Sequence, residues 1–149
     1  MVAPIAALML SLISPADPSE VPQVTMSGQQ VKALLGSLPR DAAGSNKLLA
    51  DRKNYRLSVA RVADRDGPAE VHESVADIFV VLRGSGKLML GGELVGGREV
   101  RPGERQAPRA SGAKEIELKV GTIVEVPSKV AHQILAKGTE VCYLVIKIQ

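Results

Sequence analysis

Three patterns of apolar residues follow one another along the chain. Residues 1–16 form a nearly unbroken apolar run that carries no charge. Residues 17–26, with Pro18, Pro22 and small polar side chains, show no period and read as a linker. Helical spacing follows. Val31, Leu34, Leu35 and Leu38 recur at i, i+3, i+4 and i+7, which predicts a short helix with one buried face. Ser27 stands at the capping position, Gln30 stands three residues later as its capping-box partner, and Pro39 ends the element.

From residue 46 onward the period is that of strands. Short β-type runs recur at Tyr55–Val62, Glu70–His72, Asp77–Leu82, Lys87–Leu90, Ile116–Val120, Thr122–Val126, Gln133–Leu135 and Glu140–Ile148. Turn residues at 64–68, 84–86, 91–92 and 96–97 separate the earlier ones. The run from Asp77 to Leu82 is apolar enough to be buried on both faces. Many short strands without intervening helices predict an all-β sandwich or small barrel rather than a parallel α/β sheet. Residues 98–114 break the rhythm. Arg98, Arg101, Arg105, Arg109 and Lys114 face only Glu99 and Glu104, among prolines and glycines. This reads as a long basic loop, either solvated or lining the mouth of a site for an anionic ligand.

Composition narrows the function. At 149 residues the chain is one domain with room for a core. Its single cysteine, Cys142, excludes an intramolecular disulfide and a cysteine-cluster metal site, and its strand pattern predicts a buried, inert thiol. The whole aromatic inventory is Tyr55, Phe79 and Tyr143, too little for stacking on single-stranded nucleic acid. A net charge of +3 gives no case for a nucleic-acid partner. The apolar run 1–16 is shorter than the roughly 20 residues that span a bilayer, so no membrane partner is expected. It suits a secretory signal, and hence a periplasmic or secreted protein. The plainer alternative is a disordered arm on a cytoplasmic one. The organisation expected is a leader or arm over 1–16, a linker and helix over 17–45, and a barrel over 46–149.

The chemistry concentrates on polar residues inside the strands. Both histidines, His72 and His132, stand in or beside apolar strands. Glu70 and His72 are two apart and so share a strand face, and Asp77 opens the next strand. Spacing leaves two readings open. The histidines and carboxylates are unrelated, or they converge on a divalent metal of the Zn, Fe, Mn or Ni type.

The run from Glu70 through His72 and Asp77 to Gly84 resembles the first motif of the cupin superfamily. Gly121, Pro127, Ser128, Lys129 and His132 resemble the second. Lys129 stands where that motif has a glycine, and Ala136 where it usually has an asparagine. The resemblance covers residues 70–132 and implies a double-stranded β-helix, the cupin or jelly-roll barrel. The stretches Gly91-Gly92, Pro102-Gly103-Glu104, His132-Gln133 and Lys147 are similar to those of small single-domain bacterial cupins. Cupins usually hold a metal with three histidines and a glutamate. The corresponding positions here are Glu70, His72, Asp77 and His132, with Glu70 replacing the first histidine. Asp77, one methylene shorter than glutamate, would either ligate or hydrogen-bond to a histidine and orient it.

Four further residues are pocket candidates: Phe79, Glu104, Tyr143 and Lys147. Glu104 is either a surface residue or a carboxylate folded over the barrel mouth. Tyr143 is expected in the core with a hydrogen-bonded hydroxyl rather than as a catalytic acid. Lys147 would snorkel to the edge or pair with a buried carboxylate. Arg83 is expected to be solvated. Three functions stay open: a metal-dependent enzyme of oxygenase, isomerase or hydrolase type, a non-catalytic module binding a small molecule or metal, and a metal-free barrel with a buried Glu70–His72 pair. No substrate follows from the fold alone. Apolar residues left over on outer strand faces, together with the resemblance, imply a homodimer.

Overall fold

The structure, a computed structural model, describes residues 23–41 and 45–149. The apolar run 1–16 and most of the linker lie outside the described residues. The helix forms where its cap and stripe predict it. Helix α1 spans Gly28–Ser37. The Ser27 hydroxyl accepts from the Gln30 amide at 3.2 Å, and the Gln30 side chain accepts from the Ser27 amide at 2.8 Å. These two bonds satisfy donors that a helix start otherwise leaves open.

Ten strands follow: β1 (Ser45–Asp51), β2 (Tyr55–His72), β3 (Ala76–Leu90), β4 (Glu93–Val95), β5 (Arg98–Arg101), β6 (Glu104–Ala107), β7 (Arg109–Ser111), β8 (Lys114–Lys119), β9 (Ile123–Val126) and β10 (His132–Ile148). All pairings are antiparallel. β10 lies between β2 and β3 along its length. Each of these three long strands serves two halves of the sheet. The first half of β2 pairs with β1 and its last residues pair with β6. The first half of β3 pairs with β9 and its second half with β8. One half is therefore β1-β2-β10-β3-β9, and the other is β5-β6-β2-β10-β3-β8. Strands β4 and β7 form a separate two-stranded ribbon.

The halves fold onto each other where the long strands bend. Pairing is interrupted between Ala136 and Glu140 against β2, and between Leu135 and Val141 against β3. Gly84, Gly138 and Asp64, all near these bends, have positive φ. Gly84 is required there, because a Cβ on it would lie 1.9 Å from the Glu140 carbonyl oxygen. Side chains from both halves then meet in one core. Phe79, Val81, Val124, Val126 and Val145 come from the first half, and Leu88, Leu118, Ile134 and Ala136 from the second. Burying each large side chain of this kind stabilises the fold by roughly 1.5–3 kcal/mol.

A second cluster lies outside the barrel. Leu35 and Leu38 of the helical segment pack on Val59 and Cys142, with Val31, Leu34, Leu82 and Leu144 at the edges. Cys142 is a free, fully buried thiol, as its alternation predicts, and burial pushes its pKa up. Arg61, itself buried, donates to the Leu38 carbonyl and to Glu140. Arg40 and Arg83 also pair with Glu140, at 2.6 and 2.7 Å. Burial pushes the Glu140 carboxyl up, but the bonds from Arg61 and Arg83 outweigh it and hold it below the usual range.

Several expectations are corrected. Residues 98–114 are not one loop, since β5, β6 and β7 form there and β6 joins the main sheet. The runs at Tyr55–Val62 and Glu70–His72 are one strand, as are those flanking Gly84–Gly86 and those flanking 136–139. A strand bending through an irregularity resumes its pairing on the far side, where a local reading of turn residues sees an end. Arg83 is not solvated but paired with Glu140. Only the inner face of the Asp77–Leu82 run is fully buried, at Asp77, Phe79 and Val81, while Ile78, Val80 and Leu82 are half-buried.

Candidate metal centre and pocket

The strand register brings the polar motif residues together. Glu70 and His72 close β2, Asp77 stands near the start of β3, and His132 opens β10. His132 is the direct neighbour of Glu70, Lys147 of Asp77, and Glu104 of His72. Period two turns Glu70 and His72, Asp77 and Phe79, Tyr143 and Lys147, and Glu104 and Gln106 toward one interior. They line a cavity of about 600 Å³, joined on its outer side by Arg56, Arg65 and Arg101.

At its base, Glu70, His72 and His132 each offer a ligand atom, and these atoms lie within 4.8 Å of one another. Glu70 Oε2 is 3.9 Å from His72 Nε2 and 3.8 Å from His132 Nε2. Donors about 2.0–2.2 Å from a shared metal stand roughly 3–4 Å apart, so the set suits a divalent ion. The donor chemistry, two imidazoles and a carboxylate, is of the borderline-to-hard type.

The imidazoles are held with Nε2 inward. His132 Nδ1 lies 3.3 Å from the Val130 carbonyl, which only accepts, so that nitrogen carries the proton and the Nε2 lone pair faces the cavity. His72 Nδ1 lies 3.7 Å from Glu104 Oε2. The His72 carbonyl accepts from the Lys129 amide at 2.7 Å, and Lys129 has φ +66°. That left-handed backbone explains why a glycine is the natural occupant of this motif position. Ring packing completes the wall: Phe79 lies 5.9 Å from His132 and 5.2 Å from Tyr143 between ring centres.

Asp77 is engaged differently from the other three. It is 1% exposed, and both its oxygens accept from Lys147 Nζ at 2.9 Å. Its Oδ2 also lies 3.3 Å from His72 Nε2 and 3.5 Å from His132 Nε2. Lys147 thus takes the carboxylate-pairing option, and its ammonium stands 3.0 Å from His72 Nε2 as well. Burial pushes the Asp77 carboxyl up, but the His72 contact and Lys147 outweigh it and its pKa falls. Burial raises the pKa of Glu70 against the pull of His72 and Lys147, and lowers that of His132 to about 4.

Glu104 is folded inward rather than left on the surface. Its carboxylate pairs with Arg101 at 2.9 Å and accepts from Gln106 at 3.2 Å. Tyr143 lines the pocket beneath Phe79, and burial beside Glu70 and Asp77 raises its pKa. The hydrogen bond expected for its hydroxyl has no partner among the described residues. Gln106 is the residue that sequence reasoning missed. Its amide donates to Glu70 Oε1 at 2.7 Å, leaving Oε2 toward the histidines. The available signal was its two-residue spacing from Glu104, which a loop reading of 98–114 discards.

No protein-family model matches the chain, and no curated protein does. Solved structures do. A conserved protein with a double-stranded β-helix domain from Klebsiella pneumoniae is 13% identical, with TM-score 0.56, over 74% of this chain and 80% of its own. A cupin domain from Bordetella pertussis is 16% identical, with TM-score 0.51, over 76% and 99%. A predicted oxalate decarboxylase from Thermotoga maritima is 15% identical, with TM-score 0.52, over 70% and 79%. With the antiparallel strand order described above, these similarities show that the chain has the double-stranded β-helix fold, the fold of cupin domains.

Proposed function

We propose that the protein binds a divalent metal through Glu70, His72 and His132 and uses the adjoining pocket to bind or transform a small molecule. The convergence of those three donors at the base of a 600 Å³ cavity carries this reading. A metal held there would supply Lewis-acid polarisation of a ligand oxygen or activation of water or dioxygen. The chain's own residues do the rest. Gln106 holds one oxygen of Glu70, the Val130 carbonyl fixes the His132 tautomer, and Phe79 packs against the imidazole. A metal with three protein ligands keeps positions for a ligand atom, the arrangement of catalytic rather than structural sites. With only Phe79 and Tyr143 as rings, the pocket recognises its ligand by metal, charge and aliphatic shape. Arg56 and Arg65 line it without pairing to its carboxylates and favour a small anionic ligand.

One observation favours a second reading, the metal-free barrel. The Lys147 ammonium already satisfies Asp77 and His72 without any metal. Metal analysis separates the two readings. Untagged protein purified without chelator should hold close to one equivalent of a transition metal, and a His72→Ala, His132→Ala variant almost none. Equal and low content in both proteins would reject the metal centre.

A further inference from the structure

We propose that Lys147 is a resident cation that a divalent metal must displace from His72, and that this lysine sets how tightly the centre holds metal. The proposal rests on the metal reading above and goes beyond it. Three observations carry it. First, Lys147 Nζ stands 3.0 Å from His72 Nε2, one of the two imidazole atoms turned toward the ligand cluster. A neutral imidazole has one lone pair, and an ammonium has only donors. In the tautomer that places the proton on Nδ1, facing Glu104 Oε2 at 3.7 Å, the Nε2 lone pair accepts from the ammonium, the same lone pair that a metal needs.

Second, the ammonium is anchored. Nζ lies 2.9 Å from both oxygens of Asp77, which is 1% exposed. Separating them leaves a buried carboxylate without its partner, a strongly unfavourable state unless another cation arrives. A metal beside His72 and His132 is such a cation, because Asp77 Oδ2 lies 3.3 and 3.5 Å from their Nε2 atoms. Third, the lysine has somewhere to go. Its side chain is 32% exposed and lines the pocket, so the ammonium can swing toward the cavity while Asp77 stays in place. Charge works in the same direction as geometry. A divalent ion entering next to a fixed ammonium meets like-charge repulsion in a site of reduced dielectric.

Lys147 is therefore a positioning residue that makes metal binding an exchange of one cation for another. Removing its charge while keeping its length should release His72 Nε2 and leave Asp77 seeking a cation. Isothermal titration of chelator-treated protein with Zn²⁺ tests this. Lys147→Met should bind Zn²⁺ at least about tenfold more tightly than wild type. Lys147→Arg, which keeps the charge, should bind no more tightly than wild type. A Lys147→Met, Asp77→Asn variant removes both charges at once and guards against misfolding from an unpaired carboxylate. It too should bind more tightly than wild type, with an unchanged far-ultraviolet circular dichroism spectrum. If wild type binds Zn²⁺ in a His132-dependent way and the neutral variants bind equally or more weakly, the role of Lys147 is overturned and the metal centre stands. If neither wild type nor the neutral variants bind Zn²⁺, both fall together.

Discussion

His132 shows how burial tunes one side chain. It is 3% exposed, and desolvation lowers its pKa from 6.5 to about 4. The imidazole is therefore neutral, with its lone pair free, at any ordinary pH. Stability should respond with a definite sign. Between pH 6.5 and 4 the unfolded chain protonates this histidine and the folded one does not, so stability falls as pH drops through that window. The full effect is on the order of 3 kcal/mol. Glu70 works against it, since its raised pKa lets the folded state take up a proton first as pH falls toward 4.5. Urea unfolding of chelator-treated protein from pH 7 to pH 4 checks the sign. His132→Gln should flatten the slope, and an unchanged slope would place the pH dependence elsewhere.

The long bent strands are the elements that position the site, and their bends are where single substitutions should matter most. Gly84 has φ +76°, and a Cβ there would lie 1.9 Å from the Glu140 carbonyl oxygen. Gly84→Ala should therefore cost about 2 kcal/mol or more, through left-handed strain and displacement of backbone. Gly91→Ala is the control. It has φ +83° with nothing within 4 Å of the new Cβ, so it carries the strain without the clash. Equal losses in thermal unfolding would remove the clash from the account. The same bends explain what was legible in the sequence. The stripe from Val31 to Leu38 and the Ser27–Gln30 box act within about two turns, and both are read correctly from local spacing. The corners at Gly84 and 136–139 are long-range features, because pairing resumes on the two sides of each bend only with strands distant in sequence. A glycine that lets a strand turn looks the same in sequence as one that ends it.

At the scale of the whole molecule, the site is assembled from the two ends of the barrel sequence. His72 and Lys147 are 75 positions apart, yet their polar atoms lie 3.0 Å apart. The motif resemblance pointed to Glu70, His72, Asp77 and His132, and the structure brings these four side chains together. The resemblance left Asp77's partner open, because pairing with Lys147 depends on the β3–β10 register. The outer face of the first half carries Leu57, Ile78, Val80 and Ile146, all half-buried, with Ile123 at 70% exposure beside them. We propose that this apolar face serves a second copy of the chain. Light scattering should give the mass of two chains, and Ile78→Lys, Ile146→Lys should give that of one. A wild-type mass of one chain would refute the dimer.

Whether Glu70, His72 and His132 hold a metal in the barrel pocket is open to direct observation. Anomalous diffraction from crystals grown with Zn²⁺, with data on both sides of the zinc absorption edge, tests it most directly. One strong peak is expected about 2.0–2.2 Å from His72 Nε2, His132 Nε2 and a Glu70 oxygen, with the Lys147 ammonium moved away from His72. A barrel interior without such a peak, and Lys147 still on His72 and Asp77, would contradict the proposed metal centre.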